Sequence, residues 1–178
     1  LPLVSGVIQS LVGHQPVFDH HFLHVTLPPV FFDEDIPKAQ HTHQDSTIDP
    51  RSAFDVQIMY FPHDVTPEMG GTRFVPGSHL RIVSEAAIGR YQNILGQKHV
   101  VCKAGTLLFM HMGIWHGGGA NFSNEPRYMF KIRLCPTERQ IRLWDLSDLS
   151  EDVEKQAPIF WTGSYKQHPI HKILMRPE

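Results

Sequence analysis

Four residues in two separate stretches of the chain could together carry metal chemistry. His43 and Asp45 stand in a His-Gln-Asp triplet in the first third, His116 precedes three glycines, and Arg127 follows eleven positions later. Two imidazoles and one carboxylate are the protein ligands of non-heme Fe(II) centres that keep positions open for a co-substrate and dioxygen. An arginine fork suits bidentate binding of a co-substrate carboxylate. If these residues meet in space, the sequence predicts an oxygenase.

Spacing alone does not select these residues, because the chain has 13 His among 178 residues. About one His-x-Asp/Glu triplet is expected by chance at ordinary residue usage, and a single one is present. Four histidines precede an arginine by ten or eleven positions: His41 with Arg51, His63 with Arg73, His79 with Arg90, and His116 with Arg127. The strands and turns around each pair have to decide between them.

The triplet has the alternation of an extended strand. If residues 40–47 are extended, His41, His43 and Asp45 project to one face, and a neighbouring imidazole and carboxylate can reach one ion without a bend. The alternative is a polar strand end that meets solvent. We expect His41 to be exposed or to lie behind the ligands, since three histidines with an aspartate would form a different centre.

The second histidine follows an apolar strand predicted over residues 106–110. The three glycines after His116 would let the backbone approach a ligand closely or turn sharply. His111 competes for the same role, but it lies nearer the strand body between two methionines, so we expect it to be packed. A histidine on a surface turn is the alternative for His116.

Arg127 opens a strand predicted over residues 128–134. The even-numbered residues of this strand form an apolar face, whereas Arg127, Met129, Lys131 and Arg133 share the other face. That second face is either the interior of a barrel or solvent. Arg127 points inward only if helices cover the apolar face.

Length and composition fit one soluble globular domain, with 41% hydrophobic and 19% charged residues. The 16 basic and 18 acidic residues form no basic block, which argues against a nucleic-acid or membrane partner. Cys102 and Cys135 are expected to be free thiols in a reducing compartment, which favours the cytoplasm. The chain begins at Leu1 without Met, so we interpret it as a fragment whose targeting segment could be missing.

The remaining pattern is that of a mostly β chain. Besides the two strands named above, strands are predicted over residues 54–61 and 100–102, with Gly- and Pro-containing turns between them. Short helices are predicted over residues 5–11, 82–91 and 150–156. Many short strands in one domain indicate a sandwich or jelly roll.

The strings around these residues resemble the phytanoyl-CoA dioxygenase family. They are, in order, His-Gln-Asp-Ser at 43–46, Gly-Gly-Thr-Arg-Phe-Val-Pro-Gly-Ser-His at 70–79, Ala-Gly-Thr-Leu-Leu-Phe at 104–109, Trp-His-Gly-Gly at 115–118, and Arg127. The resemblance runs over about residues 40–136. The string at 70–79 is the most specific, because neither a metal site nor a generic sandwich requires it.

The resemblance implies a double-stranded β-helix, a cupin-like jelly roll with a few flanking helices. It implies one domain over residues 1–178 that lacks part of the family's N-terminal helical region. It further implies Fe(II) held by His43, Asp45 and His116, with 2-oxoglutarate as co-substrate and its distal carboxylate on Arg127. The implied reaction uses dioxygen to hydroxylate a C–H bond of a small molecule and releases succinate and CO2. Halogenating relatives lack the carboxylate of Asp45, which favours hydroxylation.

One part of the co-substrate site departs from the family. Relatives often place a hydroxyl two residues after the distal histidine to hold 2-oxoglutarate, and Gly118 stands there in this chain. Gln57, Thr72 and Asn121 are candidate replacements. Gln57 could equally be a core residue and Thr72 a turn residue.

Two other functions stay open at this point. A cupin-type metalloenzyme that does not use 2-oxoglutarate would have no need of Arg127, and a non-catalytic jelly-roll binding module would need none of the four residues. The sequence does not reveal the substrate, whether it is a CoA thioester, the oligomeric state, or the role of residues 138–178. Tyr60, Phe61, Trp115 and Trp161 are candidates for an apolar pocket or for the core.

Overall fold

The computed structural model describes residues 1–32, 37–45, 55–80, 88–91 and 93–137. One helix and seven strands are present in these ranges, in the order α1 (Pro2–Val12), β1 (Val17–Thr26), β2 (Val56–Phe61), β3 (Thr72–Phe74), β4 (Lys98–His99), β5 (Thr106–His111), β6 (His116–Gly118) and β7 (Arg127–Cys135). Short 3-10 helices lie at Pro29–Phe31, Pro67–Met69 and Ser78–Leu80. The described chain is mostly β, as predicted.

The strands form two antiparallel sheets. The larger sheet has the order β1-β7-β2-β5, and the smaller has the order β4-β3-β6. Between them lies a buried apolar cluster that includes Met59 and Phe61 of β2, Met110 of β5 and Met129 of β7, with Phe74 of β3 packed against it. The two sheets therefore pack face to face as a jelly roll.

Helix α1 covers the outer face of the larger sheet. Its residues Ile8, Leu11 and Val12 belong to a second apolar cluster with Ile58 of β2 and Leu134 of β7. This cover reaches Ile132 and Leu134 of the even-numbered face of β7, whereas Tyr128 on the same face is exposed. Arg127, Met129 and Lys131 are buried on the opposite, inner face.

The Gly-Gly pair at 70–71 explains part of the string at 70–79. Gly70 has a φ of 63°, and an added Cβ there would lie 1.9 Å from the carbonyl oxygen of Ala120. A Cβ on Gly71 would lie 1.9 Å from the carbonyl oxygen of Val100. Only glycine lets these backbones approach so closely, and the approach packs the turn before β3 against the segments that follow β4 and β6.

The structure corrects some element boundaries and adds strands. The strand predicted over residues 100–102 is wrong, because β4 ends at His99 and Cys102 makes only an isolated bridge with Val65. Strands β1, β3, β4 and β6 were not predicted. Helix α1 is longer than the predicted 5–11. Residues 82–87 of one predicted helix and all of the helix at 150–156 lie outside the described residues, as does Trp161.

No helix among the described residues is long and apolar enough to cross a membrane. Both cysteines are free thiols.

Candidate metal centre

His43, Asp45 and His116 meet through backbone pairing. The amide of His43 donates to the carbonyl of His116 at 2.9 Å, and the amide of His116 donates back to His43 at 2.9 Å. Two residues further, the amide of Asp45 donates to the carbonyl of Met112 at 3.1 Å. One nitrogen of each ring and one carboxylate oxygen all lie within 4.8 Å of one another. This grouping is the one that the triplet and the distal histidine predicted.

The backbone also orients both imidazole rings. Nδ1 of His43 lies 2.8 Å from the carbonyl oxygen of His41, and Nδ1 of His116 lies 2.8 Å from that of Ile114. A carbonyl oxygen can only accept, so each Nδ1 carries a proton and donates it. With an ion bound, each ring would be neutral and would present the lone pair of Nε2 to that ion, which is how metal-binding histidines are fixed in proteins.

The carboxylate lies between the two rings. Nε2 of His43 is 3.4 Å from Oδ1 of Asp45, and Nε2 of His116 is 3.2 Å from Oδ2. Burial opposes ionisation of Asp45, but its contacts with His116 and His43 and the charge of Lys131 hold the pKa of its carboxyl well below the usual range. Asp45 is therefore an anion at neutral pH, and this set of two nitrogens and one oxygen fits a divalent cation.

A cavity of about 280 Å³ adjoins these three residues. Its charged lining consists of one carboxylate, that of Asp45, and three basic side chains: Lys38, Arg127 and Lys131. Met59 and Met129 contribute an apolar wall. The excess of positive charge suits an anionic ligand.

Arg127 lies at the cavity, and two of its three guanidinium nitrogens are unpaired among the described residues. Its Nη2 donates to Oγ1 of Thr26 at 2.7 Å, whereas its buried Nε and Nη1 have no hydrogen-bond partner among the described residues. Burial lowers the pKa of Arg127 to about 10, so it remains a cation at neutral pH. Buried donors without acceptors destabilise a protein, and a ligand carboxylate on the Nε–Nη2 edge or on the Nη1–Nη2 edge would give one of them an acceptor.

The comparison with known families agrees with this geometry. Residues 4–129 match the phytanoyl-CoA dioxygenase (PhyH) family. The chain belongs to this family. No curated protein matches the chain.

Solved structures share the fold. EvdMO1 superposes with a TM-score of 0.61 at 21% identity, over 78% of this chain and 32% of its own. AviO1 from Streptomyces viridochromogenes Tue57 gives 0.60 at 20%, over 77% and 58%. SnoN, a non-heme alpha ketoglutarate dependent epimerase from nogalamycin biosynthesis, gives 0.60 at 22%, over 85% and 62%. This PhyH chain therefore spans between about a third and three fifths of the length of these three proteins.

Two of the three candidates for the missing hydroxyl lie beside the centre. Thr72 is buried and lines the cavity. Gln57 is fully buried, and its Nε2 lies 3.4 Å from Nε2 of His116. Asn121 does not reach the cavity, because its Nδ2 donates to the carbonyl oxygens of Thr26 and Glu125 at 3.0 and 2.8 Å. The amide of Asn121 holds the loop before β7 instead of a co-substrate.

Strand β1 supplies site residues that the sequence reasoning missed. Thr26 pairs directly with Arg127 in the β1–β7 register, and its hydroxyl touches the guanidinium. A Cβ on Gly118 would lie 3.5 Å from the same Nη2, so Thr26 brings a hydroxyl to the place where Gly118 has none. His24 also lines the cavity, and burial, followed by the charge of Lys131, lowers its pKa and keeps its ring neutral. The sequence of residues 17–26 is rich in aromatic, aliphatic and β-branched residues, and His24 and Thr26 lie two positions apart in it. This pattern could have predicted a strand with both side chains on one face.

The competing histidines lie outside the ligand group. His41 is exposed, and its Nδ1 contacts the carbonyl oxygen of Gly89 at 3.1 Å. His111 is half-buried with its ring centroid 4.8 Å from that of His79, and burial lowers its pKa to about 4. Among the aromatic candidates, Trp115 and Phe61 lie in the core and Tyr60 is exposed.

Proposed function

We propose that this protein is an Fe(II)- and 2-oxoglutarate-dependent dioxygenase that hydroxylates a C–H bond of a small organic molecule and releases succinate and CO2. One observation carries the proposal: a single cavity holds a His-Asp-His group and, separately, a buried arginine with unpaired donors. Membership of the PhyH family supports it.

The three ligands have distinct tasks in this proposal. His43 and His116 would bind the iron through Nε2, since their Nδ1 protons are held by backbone carbonyls. Asp45 would add an anionic oxygen ligand, whose charge offsets part of the charge of a divalent ion. Iron bound there would couple the oxidative decarboxylation of 2-oxoglutarate to oxidation of the substrate.

Arg127 would bind the far carboxylate of 2-oxoglutarate. Its guanidinium offers a two-pronged donor along the Nε–Nη2 edge and another along the Nη1–Nη2 edge, and either one matches a carboxylate. Thr26 accepts from one of the two protons of Nη2 and so fixes the rotation of the guanidinium. Thr72, which lines the same cavity, can offer a further hydroxyl.

The apolar part of the cavity would limit the access of water. Met59 and Met129 are buried at 1% and 7% exposure and line the cavity. Exclusion of water strengthens the contacts of Arg127 and protects the oxidising centre from side reactions.

A second outcome has one observation in its favour. SnoN, which shares the fold, is described as an epimerase and has also been solved in complex with Fe3+, alpha ketoglutarate and nogalamycin RO. Hydroxylation and epimerisation both begin at a C–H bond, but only hydroxylation adds an oxygen atom to the product. The mass of the product therefore distinguishes them.

The proposal is tested by calorimetry of 2-oxoglutarate binding to Mn(II)-loaded protein, followed by aerobic turnover with Fe(II) and a panel of small molecules. We expect metal-dependent 2-oxoglutarate binding, succinate release, and a product that gains one oxygen atom. Arg90→Ala, a change at an exposed arginine, is the control and should behave as wild type. Folded, metal-loaded protein that does not bind 2-oxoglutarate would overturn the proposal and favour a cupin-type enzyme or a binding module.

A further inference from the structure

Lys131 is a buried lysine that the proposed chemistry does not use. It lies on β7 at 8% exposure, on the same inner face as Arg127 and Met129, and it lines the cavity. Its Nζ lies 3.1 Å from Oδ2 of Asp45. A lysine is rarely buried to this extent without a specific partner.

The two oxygens of Asp45 have different surroundings. Oδ1 lies 3.4 Å from Nε2 of His43, whereas Oδ2 lies 3.2 Å from Nε2 of His116 and 3.1 Å from Nζ of Lys131. A carboxylate can bind a metal through one oxygen or through both. An ammonium group on Oδ2 competes with the metal for that oxygen and leaves Oδ1 available.

We propose that Lys131 is a positioning residue for Asp45: it holds Oδ2 by a charge-assisted hydrogen bond, so that Asp45 ligates the iron through Oδ1 alone. This inference rests on the proposed function. One-oxygen ligation keeps a coordination position that a two-oxygen carboxylate would fill, and the co-substrate and dioxygen need the open positions.

The strand pairing holds Lys131 in this place. Phe22 of β1 is its direct partner across the β1–β7 ladder, and the ring centroid of Phe22 lies 5.9 Å from Nζ. The lysine also gives the partly buried carboxylate a counter-charge in the absence of metal. Loss of Lys131 would leave Oδ2 of Asp45 without its ammonium partner, and breaking a buried ion pair by removing one partner is unfavourable.

Two effects of Lys131 on metal binding oppose each other. Its positive charge repels a divalent ion, which would weaken metal binding. Its hydrogen bond to Oδ2 orients Asp45 as a metal ligand, which would strengthen metal binding. Loss of an outer partner of a metal ligand commonly costs about 10- to 100-fold in metal affinity, so we expect orientation to dominate.

The test compares Lys131→Met, Lys131→Gln and Lys103→Met. Lys103 is the matched control, because its Nζ also lies 2.7 Å from an aspartate oxygen, that of Asp64, but at 89% exposure. Mn(II) affinity is measured by calorimetry, and the absorption band of the anaerobic Fe(II)–2-oxoglutarate complex reports the coordination of the iron.

We expect Lys131→Met to weaken Mn(II) binding by about 10- to 100-fold and to shift the band. Lys131→Gln, which keeps a hydrogen-bond donor without the charge, should lie between Lys131→Met and wild type, and Lys103→Met should match wild type. Wild-type affinity and an unshifted band in Lys131→Met, or tighter Mn(II) binding, would overturn the inference.

Far-UV circular dichroism establishes whether each variant is folded. If Lys131→Met does not fold, Mn(II) affinity and the absorption band are measured on Lys131→Gln instead. Wild-type affinity and an unshifted band in Lys131→Gln would then overturn the inference. Wild-type protein that binds neither Mn(II) nor 2-oxoglutarate would overturn the proposed function and this inference together. Wild-type protein that binds both, with Lys131 variants that match it, would overturn the role of Lys131 alone.

Discussion

The two charged ends of the cavity are built differently. At the metal end, Asp45 is surrounded by His43, His116 and Lys131, so its charge has partners before any ion arrives. At the other end, Arg127 contacts the hydroxyl of Thr26, and its Nε and Nη1 have no acceptor in the described part of the chain. The first end is internally compensated, and the second is not.

This difference indicates which end of the cavity gains more from binding its ligand. A buried cation with unpaired donors is unfavourable, so the Arg127 end gains most when an anion binds. The metal end gains an ion for which the protein has already fixed the ligand atoms. Variants at the two ends should therefore separate metal binding from co-substrate binding.

The largest effect is expected at the metal end. His116→Ala removes one of three ligand atoms, so the Mn(II) affinity should fall by more than the about 100-fold that loss of an outer partner causes. Calorimetry measures this loss. His41→Ala is the matched control, because His41 is exposed and lies outside the ligand group. Equal Mn(II) affinity in His116→Ala and His41→Ala would exclude the assigned ligands.

The next effect isolates the anion end. Arg127→Ala removes charge-assisted hydrogen bonds of about 1.5–3 kcal/mol, so the Kd of 2-oxoglutarate should rise by about 10- to 100-fold. The Mn(II) affinity should stay at the wild-type value, since Arg127 is not among the ligands. Arg127→Lys keeps the charge but loses the fork, and it should recover only part of the affinity. A fall in Mn(II) affinity together with 2-oxoglutarate affinity would show that the two ends are not separable.

A smaller effect is expected from the hydroxyl that orients the arginine. Thr26→Val removes the 2.7 Å contact with Nη2, and one hydrogen bond of about 0.5–1.5 kcal/mol corresponds to a two- to tenfold rise in the KM for 2-oxoglutarate. Thr106→Val, which removes an exposed hydroxyl bonded to the carbonyl of Lys103 at 2.7 Å, is the control. An unchanged KM in Thr26→Val would mean that β1 does not contribute to the anion end.

The smallest functional effect is expected from a restored hydroxyl at residue 118. A Cβ on Gly118 would make ordinary contacts at 3.5 Å with Arg127 and 3.6 Å with Gln40, so Gly118→Ser should fold and change the KM for 2-oxoglutarate by less than about threefold. Gly119→Ala is the contrast, because its Cβ would lie 2.7 Å from the carbonyl oxygen of Gly70 and should cost about 1–3 kcal/mol of stability. Thermal denaturation compares the two variants. A destabilised Gly118→Ser would contradict the expectation that a side chain fits at residue 118.

The elements that the sequence predicted well are those with strong local patterns. β2, β5 and β7 have continuous apolar or alternating residues bounded by turns, and their boundaries differ from prediction by at most two positions. The ligand group was predictable because His43 and His116 stand in distinctive strings. The inward orientation of Arg127 was conditional on a helical cover; α1 covers Ile132 and Leu134 of that strand, and Arg127 is buried.

The residues that were missed depend on pairing between distant parts of the chain. Thr26 and Arg127 are 101 positions apart and meet only because β1 adds to the edge of the larger sheet. Lys131 was placed on the correct face by parity, but its partner Asp45 is 86 positions away. Asn121 was a candidate replacement for the missing hydroxyl, whereas the carbonyl oxygens of Thr26 and Glu125 already accept its hydrogen bonds. Side-chain type did not reveal which acceptor is nearest.

The most direct test of the two-ended cavity is an anaerobic titration of Fe(II) and then 2-oxoglutarate into wild-type, His116→Ala and Arg127→Ala protein, followed by visible absorption. We predict a weak charge-transfer band in wild-type protein, no band in His116→Ala, and a band in Arg127→Ala that needs more 2-oxoglutarate to saturate. Folded wild-type protein that binds Fe(II) but gives no band at any 2-oxoglutarate concentration would contradict the account.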